Sequence, residues 1–319
     1  MLRILLALLT AALSGGAIAQ AYPARAITII VPFSPGGAVD AMARLIGSKM
    51  AESFGHPVVV EARAGAGGAI GMGAVAQAAP DGYTLLYTPN SIAINPAPYR
   101  KLPFNAEKDF SPVSQVISTT LVLAAHPKLK LATVADLIGA AKAQPGKLNF
   151  GSSGVADPLQ LGMEWLKSSA GLDLLAIPYK GQAPMFAALL AGEVDVAIVS
   201  LQLALGPIKT GQLKVLAVAG GRRSVALPDV PTVAESGMPG FDISSWHGFF
   251  APAGTPRETI VRLQREVAGA VQLPDVRQRV ESTGNEVVGS TPEEFDAKFR
   301  ADVARFKKIV ADARIPPQD

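Results

Sequence analysis

The stretch 27–44 constrains the fold of this chain most, because it joins a buried strand directly to a helix. The apolar run Ile27–Val31 predicts a buried strand, and apolar residues at helical spacing resume from Ala41. Between them lies the loop 32–37, PFSPGG, whose glycines let the backbone bend. The first N–H groups of a helix lack partners within the helix and carry partial positive charge. The stretch therefore predicts a small anion-binding loop that requires no lysine or arginine.

Beyond this stretch, predicted strands and helices alternate, which indicates an α/β fold with mostly parallel sheets flanked by helices. Apolar runs predict strands at 27–31, 58–61, 84–88, 121–125, 148–151, 174–178, 194–199, 213–219 and 248–251. Helical spacing predicts helices at 38–53, 69–78, 133–144, 158–170, 183–191, 201–210, 257–272, 275–283 and 293–313. Capping-box patterns predict helix starts just after Thr133, Thr255 and Thr291.

The segment 1–19 predicts a cleaved secretion signal, with a membrane anchor as the alternative. Arg3 precedes a short apolar run, 4–13, and small residues end the segment at Ala19. The run is too short to span a bilayer. The chain has no cysteine, which excludes disulfides, a lipid-anchored N-terminal cysteine, cysteine nucleophiles and thiolate metal sites. Export without disulfides favours a bacterial periplasm.

Charge, histidine spacing and length limit the functions and domain organisations that this chain can have. The net charge is +3, aromatic residues make up 6% of the chain and no long basic run occurs, so nothing indicates nucleic-acid binding. The histidines His56, His126 and His247 lie too far apart for the common metal-ligand spacings. A chain of 319 residues predicts two domains.

A second loop repeats the design of the first. The segment 148–157, LNFGSSGVAD, again places a Gly/Ser loop between a short strand and a helix. Ligands of open α/β sheets collect at the carboxyl ends of strands. If each loop belongs to its own lobe, the two loops face each other across a cleft. The strands 121–125 and 247–251 are then the candidate hinges between the lobes.

Two enzyme-like patterns fail on spacing. The segment 65–71, GAGGAIG, resembles a dinucleotide fingerprint, but its sixth position is Ile70, and we interpret it as a turn before a helix. Ser152 and Ser153 lack the G-x-S-x-G frame of a hydrolase. A serine hydrolase also needs a histidine base oriented by a carboxylate, which the sequence does not locate. His247 is the histidine expected nearest the cleft.

Small polar residues at strand ends are the remaining candidates. Hydroxyl groups and free N–H groups can bind a carboxylate directly or through water. The candidates of this kind are Ser34, Ser91, Ser152, Ser153 and Ser200, together with the loop that contains Tyr179. Asp40 has three possible roles: it complements the helix dipole, braces the loop, or accepts a hydrogen bond from a ligand hydroxyl or amine.

These motifs resemble the Bug-type extracytoplasmic solute receptors of tripartite tricarboxylate transporters. The resemblance follows the whole chain after the leader, in order. It rests on PFSPGGxxDxxAR at 32–44, GAGGAIG at 65–71, PDGYTLL at 80–86, AINP at 93–96, PYKG at 178–181, AGEVD at 191–195, LPDVPT at 227–232 and FFAPAGTP at 249–256.

The resemblance implies a two-lobed periplasmic binding fold with two hinge-crossing strands, with residues 20–123 plus 249–319 in lobe 1 and residues 124–248 in lobe 2. It implies a monomeric receptor that holds a small organic carboxylate between the lobes and serves inner-membrane permease subunits, without catalysis, cofactor or metal. The implied ligand-binding residues are Ser34, Pro35, Gly36, Gly37, Asp40, Ser91, Ser152, Ser153, Gly154, Asp157, Tyr179, Gly181, Ser200 and His247.

The chain also departs from the usual pattern of that family near the expected pocket. Ile92 replaces a common histidine, and Asp157, Leu159 and Gln160 replace a serine and one or two histidines. The loss of polar groups at 92 and 159 favours an apolar or aromatic ligand body, so the ligand is expected to be an aliphatic di- or tricarboxylate or an aromatic acid. The alternatives are a periplasmic serine hydrolase acting on a carboxylic ester or amide, and a sensory protein that shares the fold.

Overall fold

The computed structural model describes residues 22–154, 157–179, 181–282 and 284–317. The predicted leader, 1–19, lies outside these ranges. Among the helices in the described ranges, none combines the length and the apolar character needed to cross a bilayer.

The chain alternates strands and helices as the sequence pattern predicts. The strands are β1 (Ile27–Val31), β2 (Val58–Ala62), β3 (Thr84–Pro89), β4 (Phe110–Thr119), β5 (Leu121–Ala125), β6 (Asn149–Ser152), β7 (Leu175–Pro178), β8 (Val196–Ser200), β9 (Lys214–Val218), β10 (Ser245–Pro252) and β11 (Asn285–Val287). The helices are α1 (Ala38–Phe54), α2 (Ala69–Ala76), α3 (Ser91–Ile94), α4 (Val134–Ala143), α5 (Pro158–Ala170), α6 (Gln182–Ala191), α7 (Leu201–Lys209), α8 (Arg257–Gln272), α9 (Pro274–Ser282) and α10 (Pro292–Asp312). Short 3₁₀ turns precede α2 and α4.

The strands form two sheets, which confirms the α/β class. The six-stranded sheet has the order β11-β4-β10-β3-β1-β2, and the five-stranded sheet has the order β7-β6-β8-β5-β9. The pairs of β1 with β2 and β3, and of β6 with β7 and β8, are parallel. β10 runs antiparallel to β3 and β4, and β5 to β8 and β9. Each sheet is therefore mixed rather than mostly parallel, because β5 and β10 enter their sheets without the crossover helix that a parallel connection needs.

Every predicted helix is confirmed to within two residues at each end, but the sequence pattern missed β4 and β11. Pro112, Ser114 and Gln115 interrupt the apolar pattern of β4, and an internal proline argues against a strand. In the structure these polar groups have partners in the loop before α10. The Ser114 hydroxyl donates to the Ser290 carbonyl (2.8 Å), and the Gln115 N–H donates to the Ser290 hydroxyl (2.9 Å).

The helix-start predictions are confirmed at two of three sites. Thr133 and Thr291 each form a complete capping box, with Asp136 and Glu294 as the partners. The prediction at Thr255 is wrong. There the helix begins at Arg257 without a side-chain cap, because the Thr255 hydroxyl donates to the carbonyl of Pro252 (2.8 Å).

The chain passes between the two sheets at two adjacent points. Thr120 alone separates β4 from β5, and Ser244 directly precedes β10. Thr119 and Ser245 are partners in the β4–β10 register, so the two passages lie side by side. β5 lies within the five-stranded sheet and β10 within the six-stranded sheet. The crossings are therefore confined to the residues between strands.

The C-terminal helix α10 anchors the returning passage. Its stripe Phe295, Phe299 and Phe306 is buried in the core. The Trp246 indole N–H donates to Oδ2 of buried Asp302 (2.7 Å), and Arg305 donates to Oδ1 of the same carboxylate (2.7 Å). Because a buried charge needs hydrogen-bonded partners, this cluster holds β10 firmly against α10.

We expect Trp246→Phe to lower the free energy of unfolding by about 1–3 kcal/mol, because it removes the indole donor to Oδ2 of buried Asp302 and leaves that oxygen with Lys298, 3.5 Å away. Urea unfolding followed by far-UV circular dichroism measures this loss. Trp165→Phe is the matched control, since Trp165 stacks on Phe241 (4.6 Å between ring centroids) and is only partly buried. Equal losses in the two variants would contradict the role assigned to the Trp246–Asp302 hydrogen bond.

Candidate functional site

The loop between β1 and α1 is exposed, and the bend of its backbone depends on one glycine. Residues 34–37 are exposed to solvent. Gly36 has φ +81°, a left-handed conformation that disfavours any other residue. Gly37 has φ −77° and ψ 171°, an extended conformation open to all residues. Glycine is therefore required at position 36. The backbone angles of Gly37 impose no such requirement, so its expected role in ligand binding does not rest on them.

Asp40 braces this loop. Its side chain is buried, and Oδ2 accepts hydrogen bonds from the Gly36 N–H (3.0 Å) and from Arg44 Nε (2.9 Å), while Oδ1 accepts from Arg44 Nη2 (3.0 Å). The hydrogen bonds from Arg44 and then Gly36 hold the pKa of Asp40 below its ordinary value. Asp40 is therefore the acceptor for the Gly36 N–H. The N–H groups of Ala38 and Val39 have no acceptor inside the helix.

The loop after β6 is built around two buried serines. The Tyr179 N–H donates to the Ser152 carbonyl (2.8 Å), and the Gly181 N–H donates to the Ser153 carbonyl (3.0 Å). The segment after β7 is thereby fastened alongside this loop. Ser153 is only 6% exposed, and its hydroxyl has no hydrogen-bond partner within the described ranges. Such a buried polar group is costly unless a ligand or water satisfies it.

A cavity of about 350 Å³, here named the Ser153 cavity, lies between the two sheets. It joins one end of the six-stranded sheet to the loop after β6, and β10 contributes to its floor. Its lining comprises Phe33, Gly67, Pro89, Asn90, Ser91, Ile94, Asn95, Tyr99, Ser153, Gly154, Asp157, Pro158 and Ser245. The cavity thus unites the first loop, through Phe33, with the second loop.

Hydrogen bonds fix the amide side chains of this cavity. Asn90 Nδ2 donates to the Ser244 carbonyl (3.1 Å), and Asn95 Nδ2 donates to the Gly67 carbonyl (3.1 Å). Asp157 caps α5, with Oδ1 accepting the Leu159 N–H (2.8 Å). Burial raises the pKa of Asp157 above its ordinary value, and the Leu159 N–H and the nearby Ser153 hydroxyl oppose that shift.

A second cavity of about 510 Å³, the His247 cavity, lies beside α1. Its lining comprises Ala38, Ala41, Met42, Leu45, Ile117, Gln202, His247, Asp275, Arg279 and Asn285. His247 Nδ1 lies 3.2 Å from the buried Tyr87 hydroxyl. Burial lowers the pKa of His247 to about 4, so its imidazole is neutral at physiological pH.

The structure brings some of the candidate ligand-binding residues together and separates others. Ser91, Ser153, Gly154 and Asp157 line the Ser153 cavity, whereas His247 lines the other cavity. The Ser200 hydroxyl accepts a hydrogen bond from Gln182 (3.0 Å). The candidates that line neither cavity are Ser34, Pro35, Gly36, Gly37, Asp40, Ser152, Tyr179, Gly181 and Ser200. Their assignment as ligand contacts stays a prediction.

Several residues of the Ser153 cavity were missed as candidates. They are Phe33, Asn90, Asn95, Tyr99 and Ser245. The sequence signal that could have identified Phe33 and Asn95 was their place in the motifs at 32–44 and 93–96. Ile92 and Leu159, where the chain lacks the polar groups common in that family, are buried in the core and line neither cavity. The aromatic surface comes from Phe33 and Tyr99 instead.

No group of three or more histidine or acidic side chains within the described part of the chain could hold a metal ion. The glycine-rich segment 65–71 forms a 3₁₀ turn at Ala66–Gly68 that leads into α2, as interpreted from its spacing.

We expect Asp40→Asn to reduce the stability of the protein at pH 7, because the Arg44 and Gly36 hydrogen bonds favour the charged carboxylate. Since the folded-state pKa lies below the ordinary value of 3.8, this stabilisation is present above that value and is lost as the pH falls through the folded-state pKa. The difference between wild type and variant should therefore be constant above about pH 5 and shrink in stronger acid. Thermal unfolding from pH 3 to pH 7 measures it. Glu258→Gln, at an exposed site in α8, is the control, and an equally pH-dependent effect there would contradict the assignment.

Comparison with known proteins places this geometry in a family. The model of the tripartite tricarboxylate transporter family receptor matches residues 42–315. Protein BugT of Bordetella pertussis is 38% identical over 303 residues, which cover 94% of this chain and 93% of that protein. A protein of R. palustris solved with adipate is 33% identical, with a TM-score of 0.75, over 93% of this chain and 100% of its own. MatC from Rhodopseudomonas palustris, solved with bound malate, is 30% identical, with a TM-score of 0.72, over 91% of this chain and 100% of its own. The resemblance noted in the sequence is confirmed, and the chain belongs to the receptor family of the tripartite tricarboxylate transporters.

Proposed function

We propose that this protein captures a small carboxylate in the Ser153 cavity and delivers it to a membrane transporter. The observation that carries the proposal is the buried Ser153 hydroxyl, which lines a cavity shared by both sheets and has no partner in the described part of the protein. A hydroxyl in such a position gains a hydrogen bond when a ligand oxygen enters. The cavity volume of about 350 Å³ suits a small metabolite.

The lining of the cavity supports recognition by neutral donors. Ser91, Ser153 and Ser245 line it with hydroxyl groups, although the Ser245 hydroxyl donates to Asn90 Oδ1 (3.4 Å) and the Ser91 hydroxyl lies 3.4 Å from that of Thr88. No lysine or arginine belongs to the described lining. Serine hydroxyls can hydrogen-bond a carboxylate either directly or through ordered water. Phe33 and Tyr99 add aromatic surface for the body of the ligand.

The ligand class remains an aliphatic di- or tricarboxylate or an aromatic acid. Family members solved with adipate and with malate support the aliphatic dicarboxylates. The aromatic walls support a ligand with a flat or apolar body. A thermal-shift panel that includes adipate, malate, citrate and benzoate separates these classes.

We assign capture to closure of two lobes, with residues 20–123 plus 249–319 in one and 124–248 in the other. The side-by-side passages at Thr120 and Ser244 support a hinge there. Across this hinge, Glu286 accepts a hydrogen bond from Thr120 (3.4 Å) and pairs with Arg222 (2.5 Å). A ligand that contacts both loops stabilises the closed form only as far as it prefers that form.

The receptor acts as a monomer in the periplasm and docks on the permease subunits of its transporter. This part of the proposal rests on the family and on the leader pattern in 1–19. BugD, a periplasmic binding protein, is 31% identical with a TM-score of 0.72 and covers 93% of this chain.

The alternative of a serine hydrolase finds less support in the geometry. His247, the histidine in the cleft, lines a different cavity from Ser153 and pairs with Tyr87 rather than with a carboxylate. A base with a pKa of about 4 is poorly matched to proton abstraction at neutral pH. Binding without catalysis is therefore the function proposed.

We expect Ser153→Ala to weaken carboxylate binding about tenfold, because one hydrogen bond of about 1–1.5 kcal/mol is lost. Isothermal titration calorimetry with the best acid of the panel measures the dissociation constant. Ser168→Ala, on the exposed side of α5, is the control. Unchanged affinity in Ser153→Ala would place the ligand elsewhere.

Incubation with esters and amides of the same acids tests the hydrolase. We expect stabilisation by the free acid and no turnover. Turnover that disappears in Ser153→Ala would overturn the receptor proposal.

A further inference from the structure

Another cavity of about 350 Å³, here named the hinge cavity, lies beside the two passages between the sheets. It shares no lining residue with the Ser153 cavity or the His247 cavity. Thr120 and Ser244, which mark the passages, both line it. Its walls come from both proposed lobes, with Glu286 on the side of lobe 1 and Arg222 on the side of lobe 2.

The order of the strands places the hinge cavity and the Ser153 cavity on opposite sides of the hinge. In the six-stranded sheet β4 and β10 adjoin the passages, with β11 on one side of them and β3 and β1 on the other. In the five-stranded sheet β5 lies between β9 on one side and β8 and β6 on the other. Residues at or just after the ends of β3 and β6 line the Ser153 cavity, whereas residues of β11 and β9 line the hinge cavity. The hinge therefore lies between the two cavities.

Two consecutive serines of the returning passage support this arrangement. Ser244 lines the hinge cavity, and Lys298 Nζ donates to its hydroxyl (3.3 Å). Ser245 lines the Ser153 cavity, and its hydroxyl donates to Asn90 Oδ1 (3.4 Å). Successive side chains along a strand point to opposite faces, and Ser244 directly precedes β10. A rotation about this passage that closes the Ser153 cavity therefore moves the walls of the hinge cavity apart.

An ion pair spans the hinge cavity from one lobe to the other. Arg222 Nη2 lies 2.5 Å from Glu286 Oε2, and the Thr120 hydroxyl donates to Oε1 of the same carboxylate (3.4 Å). The attraction between the two charges falls as their separation grows. The pair is intact in the form described here, and separation of the cavity walls stretches it. Because the Arg222 side chain is 78% exposed, water weakens the attraction, and the effect on closure amounts to a few-fold.

Given the lobe closure of the proposed function, on which this inference rests, we infer that the ion pair between Arg222 and Glu286 stabilises the open form and parts when the lobes close on a ligand. The pair then lowers the affinity without contacting the ligand, because part of the binding free energy is used to separate it. Arg222 and Glu286 are positioning residues that set how tightly the closed receptor holds its ligand and how readily it reopens.

The first test compares two neighbouring arginines of the hinge cavity. Arg222→Gln removes the pair that crosses the hinge, whereas Arg223→Gln, the matched control, removes a pair with Glu235 (2.9 Å) inside lobe 2. Each variant is titrated by calorimetry with adipate, malate, citrate and benzoate. We expect Arg222→Gln to lower the dissociation constant of every acid that binds by one common factor, about two- to fivefold, since all ligands share the same closure. Arg223→Gln should leave these constants unchanged.

Charge reversal provides the second comparison. Arg222→Glu sets two carboxylates against each other across the hinge cavity, and the double variant with Glu286→Arg restores an attraction in the opposite sense. We expect Arg222→Glu to bind the same acids more tightly than Arg222→Gln does. The double variant should return to the affinity of the wild type, which a loss of local structure would not do.

Lobe separation is measured without any ligand by pulsed electron paramagnetic resonance. The chain has no cysteine, so cysteines introduced at Ser48 in α1 and Ser168 in α5 are the only sites for spin labels. Both positions are exposed, and they lie on the helices that follow the two loops of the cleft, one in each lobe. We expect Arg222→Glu to shift the label distances toward the shorter, closed separation, and the double variant to reverse that shift.

The outcomes separate this inference from the proposed function. Unchanged or weaker binding in Arg222→Gln, or an equal change in Arg223→Gln, overturns the role of the ion pair while carboxylate capture stands. If none of the four acids binds, carboxylate capture fails, and the label distances decide the inference. Distances that Arg222→Glu leaves unchanged then overturn it.

Discussion

The hydrogen bond between Trp246 and Asp302 is the interaction on which the site depends, because it fixes the strand that forms the floor of the cleft. Side chains of a strand alternate between its two faces, so Trp246 points into the core while Ser245 and His247 share the other face. Ser245 lines the Ser153 cavity and His247 lines the second cavity. A shift of β10 by one residue would exchange the two faces and remove both cavities' floors. The buried ion cluster of α10 thus acts on the binding site through the register of β10.

The same strand connects the proposed binding site to the proposed hinge. β10 begins at Ser245, one residue after the passage between the sheets, and it pairs with β4, which ends at the other passage. Asn90, on the wall of the Ser153 cavity, donates to Ser244 in that passage. A ligand that contacts Asn90 is therefore one hydrogen bond away from the passage between the sheets. This short connection supports the proposed coupling of ligand binding to closure.

Much of this arrangement could be read from the sequence, and the exceptions have physical reasons. Apolar periodicity located the helices, and the Gly36 and Gly154 loops were recognised because glycine and strand-to-helix transitions are local signals. The bracing role of Asp40 was also readable, since Arg44 stands four residues further along the same helix. β4 was not predicted because its polar residues form hydrogen bonds with Ser290, which is far away in the sequence. The burial of Ile92 and Leu159 in the core could not be predicted, because nothing local shows whether an apolar side chain faces a pocket or the core.

The two loops after β1 and β6 hold their carboxylates in different ways. In the first loop the charge of Asp40 is compensated within the protein, because its buried carboxylate accepts hydrogen bonds from Arg44 and the Gly36 N–H. In the second loop Asp157 has no charged partner among the described residues that line its cavity, and it meets the Leu159 N–H and the nearby Ser153 hydroxyl instead. A carboxylate whose charge is compensated by a guanidinium can brace a loop, whereas one held by neutral donors alone costs more free energy to bury. This difference in partners explains why the pKa of Asp40 is lowered and that of Asp157 is raised.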